Sequence, residues 1–134
     1  MTLDPDSEIY VRTEKTSLLI EARAVQIGTD FLVYIWGGDR PHIGAVAAAQ
    51  PRPSLAEKNR RSATCSVLTY LGHKEDEVVK LVAERLSAVL DTHVVVTAGI
   101  HWDGLDQYGI KTIGMGIEEI IHQLTAKLRK QECV

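Results

Sequence analysis

The chain predicts an α+β fold, a single domain with one mostly antiparallel sheet and two helices packed on one face. Three observations predict it. Apolar and polar residues alternate through the first half with no helical stripe between the alternating runs; helix-spaced apolar residues occur only after residue 75; and one short apolar run, residues 94–96, separates the two helical segments. The resulting order is four strands, helix, strand, helix. A doubly wound nucleotide fold would need strand and helix to alternate from the start.

Residues 17–27 place Leu18, Ile20, Ala22 and Ala24 on one side and Glu21 and Arg23 on the other, the pattern of a half-buried strand. Gly28, Thr29 and Asp30 supply a turn, and the β-branched and aromatic run 31–36 follows, so the two runs read as an antiparallel hairpin. Gly37 and Gly38 end it. After a turn at Pro41, residues 45–49 read as a third strand, although alanine is a poor strand former. Residues 50–61 hold two prolines together with Arg52, Lys58, Arg60 and Arg61, which predicts an exposed, mobile, basic loop. Residues 62–71 alternate again and Gly72 breaks the run.

Glu75, Asp76 and Glu77 suit a helix N-terminus, and Val78, Leu81, Val82, Leu86, Val89 and Leu90 recur at the spacing of a helix that buries one face. The run 94–96 then leads to Thr97 as an interior strand. A last helix carries Ile113, Ile117, Ile120, Ile121, Leu124 and Leu128, with Lys127, Arg129 and Lys130 where cations favour the dipole. Gly114, Met115 and Gly116 just before that stripe either expose N–H groups to an anion or loosen the helix start, and the second reading is preferred. The segment 1–16 receives no element.

A chain of 134 residues suits one domain, 1–134. With 45% hydrophobic and 25% charged residues, a net charge of -3 and a pI near 5.9, nothing pulls it toward nucleic acid or membrane. The acidic, polar N-terminus has no apolar signal core and no run approaches a membrane span, so a cytoplasmic location is expected. Cys65 and Cys133 make neither a disulfide framework nor a metal pair. The exposed sheet face, with Glu21, Arg23, Tyr34 and Trp36, predicts a homodimer through that face.

Two strand ends carry the candidate chemistry. The segments 37–44 and 97–101 each run from apolar residues through glycine to a histidine, His42 and His101, and His73 stands in a similar context. Three imidazoles can converge on a divalent metal or bind an anion or a flavin-type ring; equally, they can cap turns and pair with backbone carbonyls. Gly37 and Gly38 permit positive φ and close approach of a ligand, with Arg40 beside them as a phosphate fork, or form a plain turn. The GxGxxG spacing, the GxSxG elbow, the P-loop and HExxH are all absent, so nucleotide-fold and nucleophile chemistry find no support. Asp103 and Asp106 could orient His101 as a base, but such a pair usually marks a solvated turn.

The strings Gly37, Gly38, two residues, Pro41, His42, Ile43, Gly44, then His73, Lys74, an acidic residue and a helix, then Thr97, Ala98, Gly99, Ile100, His101 resemble the LpdD-like family. That family is the small non-catalytic partner of gallate-type decarboxylases, described as a prenylated-flavin chaperone and similar in fold to proteasome assembly chaperones. The resemblance covers residues 17–128. It implies a carrier, more an accessory protein than an enzyme, that binds prenylated FMN for a UbiD-type decarboxylase large subunit. Gly37, Gly38, His42, His73, Gly99 and His101 would line the cargo site, and Arg40, Lys74 or the basic loop near Arg60 would meet its phosphate. The alternatives are a metal-binding protein or metal-dependent enzyme using His42, His73 and His101, and a pure assembly subunit.

Overall fold

The computed structural model describes residues 8–70 and 75–132, with side chains up to Arg129. In chain order its elements are β1 (Ile9–Arg12), β2 (Ile20–Ile27), β3 (Asp30–Gly38), β4 (Ala45–Pro53), β5 (Arg61–Thr69), α1 (Asp76–Leu90), β6 (Val94–His101) and α2 (Gln107–Glu132). The strands form one sheet in the order β1-β2-β3-β6-β4-β5. Only the β3–β6 pair is parallel.

The expected hairpin is β2 and β3, closed at Gly28, whose φ of +63° a side chain would oppose. Ile20, Ala22 and Ala24 on β2 and Phe31, Val33 and Ile35 on β3 are buried on the same face. The helices cover that face. Val79, Val82, Leu86 and Leu90 of α1 and Ile120, Leu124 and Leu128 of α2 meet it, and burying each such side chain contributes about 1.5–3 kcal/mol. On β4 the buried residues are Ala45, Ala47 and Ala49. Their small side chains let α1 lie close over β4 and β5, which is why a weak strand former occupies this strand.

Four expectations change. Residues 9–12 form an edge strand, paired with β2 from Ile9–Ala24 to Arg12–Glu21; four residues are too few to display a period. Part of the predicted basic loop is strand, because β4 continues to Pro53 opposite β5. Beyond Ala49 the β6 side of β4 has no strand partner among the described residues, so Pro51 and Pro53 forfeit no ladder bond there. In α1 the buried stripe includes Val79 and Ala83, while Leu81 faces outward. Finally, α2 starts at Gln107, so Gly114 and Gly116 lie inside it and neither opens the helix. A side chain at Gly116 would press on Ile20 and Thr13 at 2.9 and 3.3 Å, so the glycine lets α2 approach β2.

The second face of the sheet has no described helix over it. Register aligns Tyr10, Arg23, Tyr34, Thr97, Val46 and Leu68 in one row across it, with Glu21, Trp36 and Gly99 in the adjoining row. No described helix is long and apolar enough to cross a membrane.

Candidate functional site

Because β3 and β6 run parallel, their C-terminal ends meet at one end of the sheet, with Gly38 opposite His101. Backbone bonds from Asp39 N–H to His101 O (2.7 Å) and from Gly44 N–H to Ala98 O (2.9 Å) pin the intervening segment against β6. The segment crosses directly over Gly99: a Cβ there would fall 1.6 Å from the His42 carbonyl oxygen. Gly38 has φ +87° and its added Cβ would strike the His101 carbonyl, whereas Gly37 is closed in by Leu19 and Trp102. The paired glycines are therefore strand residues against which the site segment packs.

His42 is held at both ring nitrogens. Nδ1 lies 2.8 Å from the Arg40 carbonyl and Nε2 2.7 Å from Glu75 Oε1. Both partners are acceptors, so both hydrogen bonds form only when the pair carries one proton more than neutral imidazole plus carboxylate: imidazolium facing carboxylate, or imidazole facing carboxylic acid. Glu75 is largely buried just before α1, and its Oε1 also accepts from Ile100 N–H at 3.4 Å. Its other oxygen, Oε2, is buried and has no partner among the described residues. A Cβ at Gly44 would lie 2.2 Å from that oxygen, so glycine at 44 makes room for the carboxylate.

His101 belongs to a second, more exposed pair, with Nε2 3.0 Å from Asp103 Oδ1. The Arg40 guanidinium reaches the same carboxylate at 3.3 Å. The hydrogen bond with His101 and then the charge of Arg40 hold Asp103 below the usual carboxylate value. Arg40 thus links the two pairs, its carbonyl on His42 and its guanidinium on Asp103. Sequence reasoning favoured a solvated turn for Asp103 and treated Glu75 only as helix-start charge. The Glu75 pairing spans 33 residues, which no local pattern signals.

The structure therefore brings Gly37, Gly38, Arg40, His42, Gly99 and His101 to one end of the sheet. His73 and Lys74 lie outside the described residues. Each described histidine of the three has its own carboxylate, and among the described residues no group of three His, Cys, Asp or Glu side chains is arranged to hold a metal. The basic loop is elsewhere. Seven residues of extended β4 from Ala45 to Arg52 span about 23 Å, so Arg52, Arg60 and Arg61 sit toward the far end of the sheet. There Arg61 donates to the Ala88 and Val89 carbonyls at the end of α1 and pairs with Asp91 (3.2 Å); Arg60 pairs with Glu57 and Arg52 with Thr64. Burial, and secondarily Glu84, push the Cys65 thiol up, away from the thiolate form.

Where the His42 segment folds over Gly99 it walls one end of a cleft of about 570 Å³ on the uncovered sheet face. Tyr34, Trp36, Leu32, Thr97, Arg23 and His42 line it, together with Ile35 and Ile43. The Tyr34 and Trp36 rings stack with centroids 6.0 Å apart at 23°, and Tyr10 continues the row 6.4 Å beyond Trp36. This volume lies within the usual range of small-molecule sites.

Fold and site together define the class: an α+β domain with a mostly antiparallel sheet backed by two helices and an aromatic cleft at the sheet's histidine-bearing end. A chain of the crystal structure of a novel chaperone complex for yeast 20S proteasome assembly has this fold, with a TM-score of 0.57 at 12% identity over 91% of this chain and 97% of that one. No curated protein matches. The prenylated flavin chaperone LpdD-like domain matches residues 14–129, and the chain belongs to that family.

Proposed function

We propose that this chain is a non-catalytic carrier that binds prenylated FMN and hands it to a UbiD-type decarboxylase in the cytoplasm. The observation that carries the reading is the family membership across residues 14–129. The residues present suit such a cargo: an apolar cleft lined by stacked aromatic rings accepts a planar heterocycle, and His42, fixed at both ring nitrogens, supplies a rigid wall at its edge. Arg40 and His101, outside the cleft lining, would meet the hydroxyl-bearing chain of the cargo and not its phosphate.

Transfer tests this. The chain loaded anaerobically with prenylated FMN and mixed with apo-decarboxylase should restore decarboxylation faster than the same concentration of free cofactor, and His42→Ala should abolish the advantage. A stable complex with the decarboxylase, indifferent to His42 and His101 substitutions and carrying no flavin, would instead make the chain a pure assembly subunit.

We also propose a homodimer through the uncovered face, with a second copy on its β4–β5 half, where Val46, beside Thr97, and exposed Leu68 form an apolar strip that borders the cleft. Leu68→Arg should turn the dimer into a monomer in light scattering.

A further inference from the structure

The cleft contains a feature that family membership does not assign. Thr97 stands on its floor, and the Thr97 hydroxyl oxygen is buried with no hydrogen-bond partner among the described residues. A buried hydroxyl without a partner costs free energy, so the position favours a ligand that completes it. Beside Thr97 in register is Tyr34, stacked on Trp36, so the hydroxyl lies next to a row of roughly parallel rings. On the other side of Tyr34 in the same row is Arg23, which lies over the Tyr10 ring at 4.9 Å and makes a long, half-exposed contact to Glu8 at 3.8 Å.

We infer that the cleft binds a planar heterocycle bearing an anionic group: the ring extends the Tyr34–Trp36 stack, the Thr97 hydroxyl hydrogen-bonds the ring's polar edge, and Arg23 takes the anion. The inference rests on the proposed function for the identity of the cargo and adds to it which residues hold which part. Each part follows from chemistry on this face. Offset stacking favours a flat ring against a row of aromatic side chains, and a guanidinium pairs readily with phosphate oxygens. Arg40 is the less suitable anion site, because Asp103 already occupies its guanidinium and it does not line the cleft.

The test is anaerobic calorimetric titration of the full chain with prenylated FMN, with each variant's fold checked by its melting curve. Trp36→Leu should weaken binding about 30-fold, Arg23→Gln about tenfold, and the isosteric Thr97→Val about fivefold. Arg60→Gln at the far end of the sheet should leave affinity unchanged. If prenylated FMN binds but Trp36→Leu and Thr97→Val retain full affinity, the cleft assignment is overturned while the carrier reading stands. Unchanged affinity in Arg23→Gln alone overturns the anion assignment. If Trp36→Leu dissociates a dimer without altering cargo affinity, the cleft holds a second copy of the chain and the inference fails. Absence of binding to the unsubstituted chain overturns the carrier reading itself.

Discussion

His42 Nε2 and Glu75 Oε1 stand 2.7 Å apart although 33 residues separate them in the chain. The contact ties the segment after β3 to the start of α1, and Ile100 N–H on β6 completes the knot. Replacing Glu75 by alanine leaves the His42 ring nitrogen and the Ile100 N–H facing a void. We expect Glu75→Ala to cost about 1–3 kcal/mol in denaturant unfolding and to weaken prenylated FMN binding, with Glu75→Gln, which keeps the shape, retaining most of the stability.

Gly99 makes a second, steric prediction. A methyl group there would overlap the His42 carbonyl, a backbone atom that cannot swing aside as a side chain would. Gly99→Ala should destabilise the fold by at least the roughly 1–3 kcal/mol typical of overpacking and should displace His42 from the cleft. Gly44→Ala presses instead on the Glu75 carboxylate, so it should impair cargo binding at a smaller cost in stability. Melting curves beside binding isotherms for the two variants separate these effects.

The basic loop near Arg60 should not touch the cargo. Arg61 closes the C-terminal end of α1, so Arg61→Gln should lower stability by about 1 kcal/mol while leaving affinity unchanged. A loss of affinity in Arg61→Gln at unchanged stability would contradict this placement.

Asp103 sets a pH window. Its folded value lies below the unfolded value of 3.8, so its contact with His101 and Arg40 contributes fully above that value and is lost as pH falls through the folded one. Amide exchange of residues 102–106 should therefore be constant from neutral pH down to about pH 4, once corrected for intrinsic rates, and should quicken below it. In Asp103→Asn the acid-induced step should vanish.

The parts of this fold legible in sequence were those with a local period or an unbroken apolar run. The β2–β3 hairpin and the helical stripes from Val82 to Leu90 and from Ile117 to Leu128 repeat over enough residues to declare themselves, and residues 94–96 stand out as wholly apolar between the two helices. The start of α2 was hidden because Gly114 and Gly116 read as a loosened helix start, whereas in the fold they lie inside α2 and Gly116 gives it its close approach to β2. Of the site, the glycine–histidine strand ends were legible as motifs and do meet at one sheet end. The Glu75 contact and the placing of Thr97 beside Tyr34 and Trp36 were not, since both join segments far apart in the chain. Arg60 was misplaced for the converse reason: its charge is visible locally, whereas its distance from His42 is set by the length of β4.

The central claim is that this chain carries prenylated FMN, and direct binding tests it most plainly. Anaerobic titration of the purified chain should show saturable uptake of one flavin per protomer, and His42→Ala should reduce the affinity at least about tenfold. No uptake at high micromolar prenylated FMN, or uptake indifferent to His42, would contradict the account.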